Sequence, residues 1–350
     1  MYVIEANDVN EALAKGLVLI QKEGIKVESR NGMTLEMPAP VATVYKHPRH
    51  RLLMSRVRDA NPFFHLMEAL WIIAGRSDVE FLAEFNKRMG DYSDDGIEFN
   101  APYGYRLRKA FAQDQIDTVI KTLTRDPNSR QAVCQIWDTE DLDKDTKDKA
   151  CNMSIVFRIR KKRLDMVVYN RSNDMVWGAY GANVVQFSML QEYVAAHLAA
   201  PVGTYTQVSN SFHVYTSGPG GEVFRRLIEG YDTNQRGAYN FISSMLIMTH
   251  SDMPAFEHDL KQFFNVYDSY GLSELGRVTS WESEYFESLV LPMLNTYLVH
   301  KAVGPKEALR WTPEIFPGDW RAAARDWLQT RYENGRTQWL QTRYENGKTQ

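Results

Sequence analysis

The sequence predicts an α/β (α+β) fold with interleaved helices and strands and a helical C-terminal extension. Three observations predict it. Apolar residues recur at helical spacing over 8–24, 115–124 and 183–198. Three β-rich runs, 131–137, 153–160 and 163–170, fall between the last two of these helices. After Gly218-Pro219-Gly220-Gly221 the character shifts, and the chain to about residue 330 is mostly helical and aromatic.

In the first segment Ala12, Leu17, Val18 and Ile20 form the apolar stripe of an amphipathic helix. Ser29-Arg30-Asn31-Gly32 is turn chemistry. The stretch 60–90 reads as helical and strongly apolar from Phe63 to Met89, with Glu68 set among Leu66, Met67, Leu70 and Trp71. Residues 94–105 are a loop rich in Asp, Gly, Asn and Pro, and Asp126-Pro127-Asn128-Ser129 stops the helix over 115–124. Lys161-Lys162 separates the last two β runs, which reads as a hairpin. The helix over 183–198 carries Val184, Val185, Phe187, Leu190, Tyr193 and Val194, and a further strand runs from Thr204 to Tyr215. The expected division is a catalytic core over 1–217, a helical region over 218–326 that completes or elaborates the same domain, and a tail over 327–350. The tail is a tandem repeat, WLQTRYENGRTQ then WLQTRYENGKTQ, differing only at Arg336 and Lys348. A solenoid needs about three repeats to bury a core, so duplication is the simpler reading than a binding module.

At 350 residues, 44% hydrophobic and 24% charged, the composition is that of an ordinary globular chain of one or two domains. A formal net charge of −3 argues against a broad grip on nucleic acid. No apolar run approaches membrane-spanning length and the first residues lack a signal-peptide pattern, so a cytoplasmic location without membrane contact is expected. The two cysteines, Cys134 and Cys151, make neither a disulfide framework nor a zinc site by themselves, and no metal is expected.

The chemistry concentrates at Cys151 and at Asn170-Arg171-Ser172-Asn173-Asp174. A thiol attacks as thiolate, and a nearby guanidinium favours that form. Arg171 can also hold a phosphate by a bidentate contact. Asn183 adds a planar amide able to read a base edge. Each has a bland alternative. Free cysteines usually pack as small hydrophobes, and Cys134, between Val133 and Ile136, keeps that reading. Most arginines are solvated, and Arg130 can be a helix-end charge. Glu68 is either partly exposed or functional, since an unpaired buried carboxylate is costly. Asn183 can cap the helix that begins there. His213 can be a strand histidine, though its spacing to Tyr215 puts both on one face. Lys161, Lys162 and Arg163 read as a solvated hairpin tip, and Gly178 and Gly181 are too loosely spaced for a phosphate loop.

Taken in order over residues 25–217, these motifs resemble the thymidylate synthase superfamily, which includes the phage pyrimidine hydroxymethylases. Ser29-Arg30-Asn31-Gly32 is similar to its phosphate-loop arginine and Glu68-Ala69-Leu70-Trp71 to its buried-glutamate helix. Asn100-Ala101-Pro102-Tyr103-Gly104 resembles its tyrosine-glycine loop. Asp126-Pro127-Asn128-Ser129-Arg130 resembles the segment that reaches the neighbouring subunit's phosphate site. The resemblance makes Cys151 the nucleophile and places Arg171 and Ser172 at the phosphate and Asp174 at the folate. It makes Asn183 the base reader and His213 and Tyr215 the sugar-binding pair. It implies a mixed β-sheet of that type, a homodimer with Arg130 acting in trans, and 5,10-methylenetetrahydrofolate as co-substrate beside Trp71 and Met89. Cys151 would add to C6 of a pyrimidine nucleotide, C5 would take the one-carbon unit, Glu68 would organise water and protons with a raised pKa, and Tyr103 would assist at C5.

Several residues depart from the synthase pattern. Ala150-Cys151-Asn152 stands for Pro-Cys-His, Met89 and Tyr92 stand where two tryptophans lie near the folate, Gln131 replaces a second arginine, and one extra residue lies between Gly178 and Asn183. The familiar C-terminal closing tail is not recognisable. Loss of an aromatic shield favours capture by water over hydride, and an amide at Asn183 suits uracil where cytosine-specific relatives carry aspartate. The expected function is therefore 5-hydroxymethylation of dUMP, in a phage making modified DNA precursors. Thymidylate synthesis and dCMP hydroxymethylation are the alternatives within the family. A catalytically inactive nucleotide-binding homologue and a cysteine hydrolase are the competitors outside it.

Overall fold

The computed structural model describes residues 1–230, 239, 242, 244, 248–278 and 280–347, with side chains described as far as 335. Its centre is an eight-stranded mixed sheet. The strands are β1 (Tyr2–Ala6), β2 (Ile25–Ser29), β3 (Gly32–Glu36), β4 (Val41–Tyr45), β5 (Val133–Gln135), β6 (Asn152–Arg160), β7 (Arg163–Asp174) and β8 (Val202–Tyr215). The order is β1-β4-β8-β7-β6-β5, and the β2–β3 hairpin joins through β3 to β8. The β1–β4 and β7–β8 pairs are parallel and the others antiparallel.

Helix α1 (Val9–Glu23) starts where the Asp8 carboxylate accepts the Asn10 and Glu11 amides, and it buries Leu13, Leu17 and Ile20. The expected single helix over 60–90 is interrupted. Helix α2 (Pro62–Ile73) is capped by Asn61 and buried along its whole length. It ends before Gly75, whose φ of 67° lies in the left-handed region. Helix α3 (Val79–Phe85) restarts from an Asp78 cap, and a 3₁₀ turn covers Lys87–Tyr92. Helices α4 (Gln115–Arg125) and α5 (Asn183–His197) lie where the periodicity predicts. Lys161 and Lys162 turn the β6–β7 hairpin with φ of 49° and 63°. Strands β1 and β4 carry no local hairpin signal. They pair in parallel across a helix, which a sequence scan for alternation passes over.

The C-terminal helices α6 (Gly218–Gly230), α7 (Met253–Tyr270), α8 (Leu291–Val303) and α9 (Gly318–Gly347) follow the sheet. Aromatic edges join them to α2 and α3: Phe81 meets Phe264 at 5.1 Å and Phe63 meets Trp327 at 5.4 Å. Trp327 opens the first copy of the repeat, whereas the second copy's side chains lie outside the described residues. No helix among the described residues is long and apolar enough to cross a membrane.

A short helix, Tyr103–Tyr105, brings Tyr103 against the end of α2. Only glycine fits beside it: a Cβ on Gly104 would lie 2.2 Å from the Ile72 carbonyl oxygen. Gly104→Ala is therefore expected to cost about 1–3 kcal/mol in chemical denaturation. A change below about 0.5 kcal/mol would mean that the turn moves freely.

Candidate active site

A cavity of about 700 Å³ opens between the ends of β7 and β8, α2, the first turn of α5 and the β2–β3 turn. The fold brings every sequence-predicted site residue but one to its wall: Arg30, Glu68, Trp71, Met89, Tyr103, Cys151, Arg171, Ser172, Asp174, Asn183, His213 and Tyr215. The exception, Arg130, is exposed and is not among the lining residues.

Cys151 sits just before β6. The Arg171 backbone N–H donates to the Cys151 carbonyl at 2.9 Å. The Arg171 side chain donates from Nε to the Ala150 carbonyl at 2.8 Å and from Nη2 to the Lys149 carbonyl at 3.0 Å. Nη2 also lies 3.9 Å from the Cys151 sulfur. This changes two expectations. Two of the three guanidinium nitrogens, Nε and Nη2, are engaged by backbone carbonyls, so the side chain is held in place and is not a freely moving fork. Burial also pushes the thiol above its usual range and outweighs Arg171 and Arg30, while Asp148 adds to the rise. Arg171 therefore moderates the thiol without making a thiolate at rest. Cys134 is fully buried, and burial pushes its thiol up to about 12.

Burial raises Glu68 to about 7, against the pull of the neighbouring Gln186 amide. Glu68 Oε2 and Gln186 Oε1 are both buried without a hydrogen-bond partner, and both residues line the cavity. Tyr103 stacks on Phe187 at 6.0 Å, and burial, then Cys151 and Asp148, hold its phenol well above its usual range. Asp174 caps the turn after β7, accepting the Val176 and Trp177 amides at 2.8 and 2.6 Å. Its other oxygen is buried and unpartnered, and burial raises its pKa. Behind it Arg58 stacks on Trp177, 4.0 Å from the ring centroid, and donates to the Val176 carbonyl at 2.9 Å. Burial lowers Arg58 to about 10.

The parallel register sets Ser172 beside Ser211 and Asp174 beside His213. Ser211 Oγ lies 3.3 Å from His213 Nδ1, and the His213 and Tyr215 rings meet edge to face at 5.6 Å. Asn183 opens α5, but its side chain caps nothing there; Nδ2 donates to Asn173 Oδ1 at 3.1 Å. The 175–182 segment winds as a π-type turn broken at Gly181, which is where the sequence carries its extra residue. Gln186, Arg58 and Gln207 were not singled out from sequence. Gln186 alone left a signal, since it lies one helical turn beyond Asn183 and so shares its face. Among the described residues no cluster of three or more His, Cys, Asp or Glu side chains can hold a metal.

A family model described as Thymidylate synthase matches residues 15–249. The chain is 36% identical over 342 residues to a deoxyuridylate hydroxymethyltransferase of Pseudomonas phage M6, covering 95% of each. It is 39% identical over 246 residues to that of Bacillus phage SP01, covering 67% of this chain and 64% of the relative. It is 31% identical over 226 residues to that of Delftia phage PhiW-14, covering 61% and 62%.

Alkylation by iodoacetamide, read by peptide mass spectrometry, tests the thiol electrostatics. Cys151 is expected to react and Cys134 to stay unmodified in the folded protein. Removing the Arg171 charge raises the Cys151 pKa further, so Arg171→Met should slow alkylation at pH 8 by about two- to tenfold. An unchanged rate would show that Arg171 does not act on the thiol.

Proposed function

The chain belongs to the thymidylate synthase family, and from that premise we propose that it is a deoxyuridylate 5-hydroxymethyltransferase. One observation carries the choice of water over hydride. Glu68 Oε2 and Gln186 Oε1 are two buried acceptors without hydrogen-bond partners, on residues that line the same cavity. A water molecule offers the two donors that such a pair requires. The names of the phage relatives support the same reading.

The co-substrate this reading implies is 5,10-methylenetetrahydrofolate. The residues present fit it, because Asp174 keeps a buried, unpartnered carboxylate oxygen for a ring N–H, and Trp71, Met89, Tyr92 and Trp177 supply apolar wall in the same cavity. When bound it supplies a one-carbon unit at the oxidation level of formaldehyde.

The chain's own groups do the rest. Cys151 adds its sulfur to C6 of the pyrimidine, and the displaced electron pair makes C5 a carbon nucleophile. Arg30, Arg171 and Ser172 hold the phosphate, and His213 and Tyr215 hold the sugar. Asn183 faces the base edge. C5 gives up its proton after the one-carbon unit is attached, and Glu68, which titrates near neutral pH, can take the proton from the water that adds to that unit and pass it to the departing amine. Tyr103, held protonated by burial, donates a hydrogen bond near C5. Cys151 finally leaves C6 with the electron pair of the C–S bond. Arg130 lies outside its own cavity, which supports a homodimer in which it reaches the partner's phosphate site.

Incubation with dUMP or dCMP plus methylenetetrahydrofolate, followed by mass spectrometry, should give 5-hydroxymethyl-dUMP and tetrahydrofolate. A 5-methyl product with dihydrofolate would overturn the water assignment, and conversion of dCMP alone would overturn the base assignment. Cys151→Ser should abolish turnover, and Glu68→Gln should lower it by about a hundredfold or more. Mixing inactive Arg130→Ala and Cys151→Ser chains should restore about a quarter of wild-type activity, because half the dimers then hold one complete site. No recovery would exclude a trans role for Arg130.

A further inference from the structure

Asn183 poses a problem of symmetry. An amide side chain has nearly the same shape when turned over, and its two ends differ only in hydrogen bonding. In one orientation it accepts from N3–H and donates to O4, which reads uracil. Turned over, it donates to N3 and accepts from the exocyclic amine, which reads cytosine. A freely turning asparagine therefore cannot choose between the bases.

We infer that a buried relay, Asn183–Asn173–Gln207–Ala179, locks this amide in its uracil-reading orientation and makes Asn173 and Gln207 positioning residues for substrate choice. The inference rests on the deoxyuridylate reading proposed above. Asn183 Nδ2 donates to Asn173 Oδ1 at 3.1 Å. Asn173 Nδ2 donates to Gln207 Oε1 at 2.9 Å and to Ser209 Oγ at 3.0 Å. Gln207 Nε2 donates to the Ala179 carbonyl at 3.0 Å and to the Tyr45 hydroxyl at 3.3 Å. The Tyr45 hydroxyl in turn donates to the same carbonyl at 2.9 Å.

The direction of the relay is set at its far end. The Ala179 carbonyl can only accept, so Gln207 must present its NH₂ there and its oxygen to Asn173. Asn173 must then present its NH₂ to Gln207 and its oxygen to Asn183. Turning any one amide over would oppose two acceptor oxygens in a site where Asn173 is 2% exposed and Gln207 1%. The glycine at 178 is what lets the Asn173 oxygen sit there: a Cβ on Gly178 would lie 2.6 Å from Asn173 Oδ1. Asn183 is left with its oxygen and one N–H for the base in one fixed sense, which on the deoxyuridylate reading is the sense that meets N3–H and O4 of uracil.

Calorimetric dissociation constants for dUMP and dCMP, measured on the full chain without co-substrate, test this. The ratio of the two constants cancels general damage to the fold. Wild-type protein should favour dUMP by about ten- to a hundredfold. Gln207→Leu frees Asn173 to turn over with Ser209 donating to it, and Asn183 to follow, so the ratio should fall by about tenfold or more. Tyr45→Phe leaves the Ala179 carbonyl in place and should keep the ratio. A ratio unchanged in Gln207→Leu, or lost equally in Tyr45→Phe, overturns the relay while leaving the deoxyuridylate reading intact. Wild-type protein that binds neither nucleotide, or prefers dCMP, overturns both.

Discussion

The site depends on the register of β6, β7 and β8. The Arg171 amide bonds to the Cys151 carbonyl, its side chain wraps the two preceding carbonyls, and Ser172 and Asp174 stand beside Ser211 and His213. A slip of one residue would turn each of these side chains to the other face of the sheet. Buried amides oppose such a slip. Asn152 bonds to Asn170, and Asn170 Nδ2 reaches the Val208 carbonyl at 3.3 Å, so three strands are tied at the level of the nucleophile. Asn152 is fully buried and does not line the cavity. Asn152 therefore serves the strand pairing beside Cys151, whereas Glu68 lines the cavity.

Burial is the strongest electrostatic agent at the site, and it acts on its groups with different consequences. It brings Glu68 near 7, where a carboxylate can carry a proton in either direction. It holds the Tyr103 phenol as a donor. It opposes thiolate formation at Cys151, where Arg171 and Arg30 only partly offset it. At Asp174 burial leaves one oxygen without a partner even with Arg58 nearby, because Arg58 spends its Nε on a carbonyl and its face on Trp177. A buried acceptor kept open in this way costs free energy in the empty protein, and that cost is recovered only when a donor arrives.

Most of the helices, the β6–β7 hairpin and twelve of the cavity-lining residues were legible in the sequence, because each motif keeps a local signature: a thiol, an Arg-Ser-Asn-Asp run, a glutamate in an apolar helix. What stayed hidden depends on contacts distant in sequence. Strands β1 and β4 meet only after α1 has crossed between them. The break in the 60–90 helix turns on the backbone at Gly75. Arg58 and Gln207 look like an ordinary surface arginine and a strand glutamine until the fold buries them against Trp177 and Asn173. The anchoring of the Arg171 side chain was equally illegible, since only the folded chain shows which carbonyls it meets.

The first turn of α5 places two amides in the cavity. Asn183 and Gln186 lie one turn apart on the same helix face, and Gln186 sits beside Glu68. Their common phase is set just upstream, where the π-type turn over Met175–Ala182 takes up the extra residue and Gly181 leaves helical geometry. A Cβ on Gly181 would lie 2.9 Å from both Arg58 Nη2 and the Val176 carbonyl, so the break is held by the same groups that support Asp174. The break at Gly181 lies before α5, so Asn183 and Gln186 keep a common helical phase and both line the cavity. Tyr92, 52% exposed, and Met89 line the same cavity. The unpartnered oxygens of Glu68 and Gln186 thus belong to the same cavity as these residues.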